Sequence, residues 1–191
     1  MDDRTRCWWA IGERPDPLMQ AYHDEEWGVP VAGEADLFER LILEGFQAGL
    51  SWQTILRKRG AFRAAYRGFD PRIVAEFGDE DRLRLLADAG IVRNRSKIAA
   101  SIGNARAFLT VGEAFGSFRA YLDAEVPGPP PRLSASATMA DIPTTTAAAS
   151  ALSADLRRRG FGFVGPTIVY AFMQSIGLVD DHLPGCFRYR G

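Results

Sequence analysis

The sequence predicts an all-α fold. Three observations favour this class: apolar residues recur at the 3.6-residue period of a helix, no segment alternates as a half-buried strand does, and capping residues flank the apolar runs. Of the 191 residues, 47% are hydrophobic and 25% are charged, a composition typical of globular proteins. We therefore expect a single domain over residues 1–191.

The first apolar stripe lies in residues 37–42 and predicts a helix that Gly45 and Gly49 interrupt. Ser51 is a favourable N-cap for a second helix, which carries Trp52. The two glycines are therefore expected to form a tight corner between these helices.

The rest of the chain follows the same helical pattern. Asp70 and Pro71 suit the N-cap and first residue of a third helix, with Ile73, Val74 and Phe77 expected to be buried. Five more helices are predicted by Leu83, Leu85 and Leu86 before Gly90; by Ile98, Ile102, Ala105, Phe108 and Leu109; by Phe118, Tyr121 and Leu122 after Ser117; by Leu152 and Leu156 before Gly160; and by Ile168, Val169, Phe172 and Met173 between Gly165 and Gly177. Residues 127–146, rich in Pro, Ser and Thr, are expected to form a surface connection.

The charge balance limits the kinds of partner. Lys and Arg total 23 against 24 Asp and Glu, so a uniformly basic nucleic-acid coat is excluded and any nucleic-acid surface must be local. The opening MDDRTRCWWA lacks the basic and apolar regions of a signal peptide, and no run of 18 apolar residues predicts a membrane span. We expect a cytoplasmic monomer with no membrane association.

Two Cys and two His form a candidate metal set: Cys7, His23, His182 and Cys186. They offer the ligands of a closed Cys2His2 zinc site, which leaves no position for a substrate water and so indicates a structural role. The spacing between His182 and Cys186 is short, whereas the spacing between Cys7 and His23 matches no known half-site. Inert thiols with hydrogen-bonded histidines remain an equal alternative, and a disulfide is a weaker one.

Residues 87–98, ADAGIVRNRSKI, have the layout of a helix-hairpin-helix. A helix that ends at Gly90 would be followed by a hairpin and by a new helix with Arg93, Arg95 and Lys97 near its start. Backbone N–H groups at that helix start would face a DNA phosphate, and the basic side chains would add charge. The alternative is a glycine that merely ends a helix, which is its commoner role.

The segment LEGFQAGLSW, residues 43–52, combines a carboxylate with an aromatic neighbourhood. Helical spacing places Glu44 at the edge of the apolar stripe, which predicts a half-buried carboxylate. The aromatic side chains of the first 52 residues that carry a polar group are Trp8, Trp9, Tyr22, Trp27 and Trp52. Rings and a carboxylate suit a flat cationic or amine-bearing heterocycle, but a Trp-rich core with Glu44 paired to an Arg remains the alternative.

These motifs resemble those of the constitutive bacterial (type I) 3-methyladenine DNA glycosylases. The matching strings are RCWW (6–9), AYHDEEWGVP (21–30), LEGFQAGLSW (43–52), DAGIVRNRSKI (88–98), IGNARA (102–107), RRRGFGFVGPTIVYAFMQSIGLVDDH (157–182) and GC (185–186). The resemblance implies a helix-hairpin-helix bundle with a helical core at about 36–125. It also implies a structural Zn²⁺ on Cys7, His23, His182 and Cys186 that clasps residues 1–35 to about 150–191.

The resemblance also implies an activity: the enzyme flips 3-methyladenine out of alkylated double-stranded DNA and excises it hydrolytically, leaving an abasic site. Glu44, the implied catalytic residue, and Tyr22 would hydrogen-bond the base, Trp52 would stack on it, and Trp9 and Trp27 would wall the pocket. At the DNA, Leu50 beside Gly49 would fill the gap in the duplex.

Two positions depart from the pattern of the resembled family. Met19 stands where a pocket Tyr is more usual, and Trp8 where a small residue is more usual, which leaves the shape and base range of the pocket open but not the metal and carboxylate positions. The helix after Lys97 lacks an acid that could position water, which leaves the partner of the nucleophile open. The only lysines are Lys58 and Lys97, and neither is predicted to lie in a pocket, so no Schiff-base lyase step is expected.

Two other functions compete with the glycosylase hypothesis. A zinc-stapled DNA-binding module without catalysis would profit from a more basic surface than this chain has. A zinc hydrolase would need an open coordination position, which four protein ligands deny.

Overall fold

The computed structural model describes residues 3–13 and 15–191; Met1, Asp2 and Arg14 lie outside the description. Within these ranges the regular structure is helical and contains no strand, which confirms the predicted all-α class. The α-helices are α1 (Trp8–Ile11), α2 (Pro17–Glu25), α3 (Glu34–Gln47), α4 (Trp52–Ala65), α5 (Pro71–Ala75), α6 (Asp79–Ala87), α7 (Arg95–Phe115), α8 (Phe118–Glu125), α9 (Ala147–Arg158) and α10 (Pro166–Ser175). Short 3₁₀ turns occupy Arg67–Phe69 and Met139–Asp141.

Helix α3 is central to the packing. Every residue from Leu37 to Phe46 is buried, and the helix contacts α4, α5, α7, α8 and α10. Side chains of α3 through α10 share one hydrophobic cluster, so α9 and α10 pack into the same core as the earlier helices. The division into a core at 36–125 and a clasp subdomain stays a prediction.

The end of α3 differs from the predicted position. Gly45 does not break the helix, because it lies inside α3 with its α-carbon facing Phe163, where a β-carbon would come within 3.4 Å. The break falls at Gly49, whose φ of 80° favours glycine. Ser51 then caps α4 by accepting a hydrogen bond from the Thr54 N–H, as predicted.

Helices α5 to α8 largely follow the prediction. Asp70 caps α5 with Pro71 at its first position, and Ser117 caps α8. The expectation that Ile73 is buried is wrong, since its side chain is 46% exposed while Val74 faces the core. Helix α6 ends before Gly90, at Ala87, and residues 88–94 lead to α7.

The connection at 127–146 is mostly exposed, as predicted. Its first part is held by the C-terminal segment: Asp180 N–H donates to Pro131 O at 3.1 Å, and the Tyr189 hydroxyl donates to Leu133 O at 3.0 Å. The later part forms the short turn Met139–Asp141. Among the described residues, no helix combines the length and apolar character that crossing a membrane requires.

Candidate functional site

A cavity of about 340 Å³ opens where α1, α2, α3, α4 and α10 meet the 127–146 connection. Its size is within the range of small-molecule sites. The lining residues are Trp9, Met19, Tyr22, Trp27, Glu44, Gln47, Trp52, Met139, Ile142, Ala171 and Gln174. The structure therefore brings together all five residues that the sequence assigned to base binding.

Glu44 lies deeper than its predicted half-buried position, with only 4% of its surface exposed. Burial raises the pKa of the Glu44 carboxyl to about 8, and the nearby charge of Arg40 only partly offsets this. Across residues 3–13 and 15–191, no hydrogen bond or ion pair involves this carboxylate. Its acceptors are thus available to a ligand.

Arg40 pairs with Glu26 instead of Glu44. Its Nη2 lies 2.6 Å from Glu26 Oε2, and its guanidinium carbon lies 5.5 Å from the centroid of the Tyr22 ring. Arg59 donates two further bonds to Glu26, each 2.7 Å long. Among residues 3–13 and 15–191 there is therefore no Glu44–Arg pair, which the Trp-rich-core alternative expects, and the guanidinium of Arg40 packs against the Tyr22 ring.

Four of the eleven lining residues are aromatic. The Trp9 and Trp27 rings are 4.9 Å apart at 73°, and the Tyr22 and Trp52 rings are 5.1 Å apart at 52°. Burial raises the pKa of the Tyr22 hydroxyl above its usual range, so it is a neutral donor or acceptor. The indole N–H of Trp52 is buried with no partner in the described part of the chain. These rings can stack on a flat heterocycle.

The four Cys and His side chains meet next to this wall. Ligand atoms of Cys7, His23, His182 and Cys186 all lie within 4.8 Å of one another, and all four residues are buried. Cys186 Sγ is 3.4 Å from His23 Nε2, and each sulfur is 3.8 Å from His182 Nδ1. Such separations match the roughly 3.6 Å edges of a tetrahedral site with ordinary metal–ligand bonds.

The two imidazoles are oriented by hydrogen bonds behind the cluster. His23 Nδ1 is 2.8 Å from Asp24 Oδ1, and His182 Nε2 is 3.3 Å from the Trp27 carbonyl. The opposite ring nitrogens thereby face the sulfur atoms of the cluster, an arrangement typical of metal-binding histidines. Burial raises the pKa of the Cys7 thiol to about 12 and lowers that of His182 to about 4. A cation would stabilise the thiolates, so the donor set fits a metal ion.

The residues predicted to contact DNA lie in two places. Gly49 and Leu50 form the exposed corner between α3 and α4, beside Glu44 and α10. Gly90 lies in the 88–94 connection, where its N–H donates to Asp88 Oδ1 at 2.7 Å. Arg93 and Arg95 are exposed at the start of α7.

The placement of Lys97 does not fit a phosphate contact. Its side chain is 8% exposed, and its ammonium donates to the carbonyls of Phe46 at 2.9 Å and Ala48 at 2.6 Å. These carbonyls end α3, whose dipole favours a cation there. We therefore assign Lys97 a structural role: two of its three N–H donors are engaged by these carbonyls, and its placement does not support the predicted phosphate contact.

Met19 and Trp8, the two residues that depart from the family pattern, lie in different surroundings. Met19 lines the cavity, as the resemblance implied. Trp8 is 58% exposed and is not among the residues that line the cavity. Sequence reasoning also missed five wall residues, because their segments carry no local signal for a cavity. They are Gln47, Met139, Ile142, Ala171 and Gln174.

The sequence model of the protein family described as methyladenine glycosylase matches residues 9–189. The chain belongs to this family. The matched range contains Glu44 and the aromatic residues of the cavity wall.

Individual relatives are similar to this chain over almost its full length. DNA-3-methyladenine glycosylase 1 of Escherichia coli (strain K12) is 50% identical, covering 97% of each chain. A crystal structure of 3-methyladenine DNA glycosylase I is 48% identical with a TM-score of 0.90, and it covers 97% of this chain and 100% of its own. A structure of 3-methyladenine DNA glycosylase I from Staphylococcus aureus, which describes the structural basis of 3-methyladenine recognition, is 36% identical with a TM-score of 0.91. The match covers 98% of this chain and 99% of that one.

Proposed function

We propose that this methyladenine glycosylase extrudes alkylated adenine nucleotides from duplex DNA and hydrolyses their N-glycosidic bond. The product is free 3-methyladenine and an abasic site. One observation carries the proposal: the carboxylate of Glu44, which has no partner among the residues that the structure describes, is buried in a cavity whose wall includes Trp9, Tyr22, Trp27 and Trp52. Such a site favours a flat, electron-poor ring that bears hydrogen-bond donors.

The charge of the substrate defines the chemistry. Methylation at N3 makes the adenine ring cationic, so the bond from N9 to the sugar C1′ is already weakened. The bonding electrons leave with the base, which becomes neutral, while C1′ takes the oxygen of a water molecule that loses one proton to solvent. The protein therefore has to extrude and hold the nucleotide rather than supply a strong acid.

Glu44 recognises the cation through two effects. Its carboxylate accepts a hydrogen bond from the exocyclic amine of the base. A cation in the cavity also favours the ionised carboxylate and so opposes the effect of burial, which favours the protonated form. Neutral adenine gains only the first effect, and it also stacks and pairs better in DNA, so the methylated base is selected twice.

Zn²⁺ is the metal that Cys7, His23, His182 and Cys186 would hold. Two thiolates and two neutral imidazoles balance its charge and complete a closed tetrahedral set. The role is structural: the ion would clasp the segments that carry Trp9, Tyr22 and Trp27 to the C-terminal segment.

The DNA surface is assigned by position. Leu50, 41% exposed beside the cavity, would fill the space that the extruded nucleotide leaves, with Gly49 allowing the corner. The hairpin at Gly90 and the exposed Arg93 and Arg95 would hold phosphates of a helix-hairpin-helix contact. We further propose a cytoplasmic monomer that acts on double-stranded DNA.

The test is incubation with methylated duplex DNA, followed by chromatography of the released bases. The wild-type protein is expected to release 3-methyladenine, whereas Glu44→Gln is expected to lose at least about 100-fold in kcat/KM because a buried electrostatic contact is removed. Glu113→Gln, an exposed change on α7, is the matched control and should behave as wild type.

Two results would contradict this assignment. Folded, metal-loaded protein that releases no alkylpurine would favour the non-catalytic DNA-binding module. A covalent enzyme–DNA adduct trapped by borohydride would show a lyase step, which neither lysine is placed to perform: Lys97 caps α3, and Lys58 donates to the carbonyls of Ala89 and Gly90.

A further inference from the structure

Gln174 is a polar residue of the cavity wall to which the proposed mechanism assigns no role. It lies on α10 among the lining residues. Its side-chain amide donates from Nε2 to Asp181 Oδ2 at 2.7 Å. The same carboxylate oxygen accepts the hydroxyl of Tyr170 at 2.5 Å.

Asp181 determines which end of the amide it meets. The Gln174 amide presents its NH₂ group to this carboxylate, whose oxygen accepts the hydrogen bond. Asp181 is only 4% exposed, and its Oδ2 accepts from both Gln174 and Tyr170. Because the two amide atoms diverge from one carbon, the Gln174 carbonyl oxygen is directed away from Asp181. In the part of the chain that the structure describes, no group donates to that oxygen.

The backbone at Gln174 is held as well. The Gly28 N–H donates to the Gln174 main-chain carbonyl at 3.0 Å, next to the wall residue Trp27. Trp27 in turn is joined through its own carbonyl to His182, the neighbour of Asp181. The side chain is thus fastened at both ends, which makes it a pre-organised group and not a mobile surface amide.

We propose that Gln174 is a specificity-determining residue: it presents its amide oxygen to the cavity as a second acceptor for the exocyclic amine of the bound purine. This inference rests on the proposed function. A 6-amino purine offers two N–H donors, which Glu44 and Gln174 would share. A 6-oxo purine such as 3-methylguanine would instead bring its own acceptor against both, so it would be disfavoured.

The experiment measures binding of two free bases to the metal-loaded protein by quenching of its tryptophan fluorescence. The bases are 3-methyladenine and 3-methylhypoxanthine, which differ at C6. Gln174→Met is expected to weaken 3-methyladenine binding roughly two- to tenfold, the range for one hydrogen bond, and to leave 3-methylhypoxanthine equal or tighter.

Two further variants separate orientation from mere packing. Asp181→Asn can donate to Gln174 and allow its amide to turn, so it is expected to shift preference toward the 6-oxo base. Tyr170→Phe removes a hydroxyl but leaves the Asp181 acceptor for Gln174, so the wild-type preference should persist. Metal content and the melting temperature are measured for each variant.

The outcomes are distinguishable. Equal loss for both bases in Gln174→Met, or no loss for either, would overturn the inference while the glycosylase activity stands. A wild-type protein that neither binds nor releases 3-methyladenine would instead overturn the proposed function itself. A preference that falls in Asp181→Asn without loss of metal supports the orienting role of Asp181.

Discussion

At the scale of single residues, Glu44 destabilises the folded protein but serves the proposed function. A carboxylate that is 4% exposed and has no partner among the described residues is costly to keep ionised. A cationic, amine-bearing base needs such a carboxylate, because the carboxylate oxygens can accept its hydrogen bonds. The residue therefore resembles other functional groups that are retained although they destabilise the folded state.

This conflict predicts a pH-dependent stability difference. The Glu44 pKa is about 8 in the folded protein against an ordinary 4.5, so the folded state holds the proton more tightly than the unfolded state. The wild-type protein should therefore lose stability relative to Glu44→Gln as pH rises from about 4.5 to about 8. The free energy of unfolding of both proteins can be measured with urea at pH 5 and pH 8. The difference between Glu44→Gln and the wild-type protein should grow to the order of a few kcal/mol at pH 8. A gap that is constant with pH would contradict this.

At the scale of elements, basic residues around the start of α7 have different roles. The ammonium of Lys97 turns inward and binds the last carbonyls of α3, while Arg93 and Arg95 remain at the surface. Nothing in the spacing R-N-R-S-K separates them, because the difference depends on where α3 ends in space.

Matched substitutions should reveal this division. Lys97→Met is expected to lower the free energy of unfolding by about 1.5–3 kcal/mol, since it removes hydrogen bonds from a charged donor. Arg93→Ala and Arg95→Ala should change stability by less than about 0.5 kcal/mol but reduce the slope of log K for DNA against log salt by about 1 each. The reverse pattern, with Lys97→Met altering the salt slope, would contradict the structural role.

The 127–146 connection is a second element with a role that its sequence does not predict. Its beginning is bonded to the C-terminal segment, and further along it delivers Met139 and Ile142 to the cavity wall. An exposed, Pro-rich segment thereby forms an apolar side of the binding site.

Met139→Ala should therefore affect the substrate more than the fold. Met139 is 43% exposed, so its loss should leave the melting temperature nearly unchanged. The KM for alkylated DNA should rise roughly two- to tenfold, as expected for about 1 kcal/mol of apolar contact. Ser136→Ala, an exposed change on the same connection, is the control. Equal kinetics for the two variants would show that the connection does not contribute to the site.

At the scale of the whole molecule, the Cys/His cluster joins the two ends of the chain to the cavity. Trp27 packs edge-on against His182 with ring centroids 4.6 Å apart, and Trp9 packs against His23 at 5.3 Å. Two walls of the cavity thus rest directly on metal-type ligands. Folding of the clasp and formation of the site should be coupled.

Removal of metal tests this coupling. Chelation, or Cys7→Ser, is expected to abolish base binding and change the tryptophan fluorescence, because the Trp9 and Trp27 walls lose their support. Most of the far-UV ellipticity should remain, since α3 to α8 make up the larger share of the helices. Metal content measured by atomic absorption accompanies each assay. A metal-free protein with full excision activity would rule out the structural role.

Helices α3 to α10 and several of their caps are local properties, and the sequence pattern predicted them, whereas it gave no prediction of α1 or α2. Ser51, Asp70 and Ser117 cap as expected, since a cap needs only the amide groups of the next turn. The Cys/His set and the Glu44 region were also identified, because rare residue types and an off-pattern carboxylate stand out in a sequence.

Other features depend on which elements meet in space, which no local pattern encodes. The depth of Glu44 follows from how many helices surround α3, and the inward turn of Lys97 from the nearness of its carbonyl end. Met139 and Gln174 reach the cavity from segments about 95 and 130 residues beyond Glu44. Side chains so distant along the chain become neighbours through packing of the core, and therefore the shape and selectivity of the site emerge only with the folded molecule.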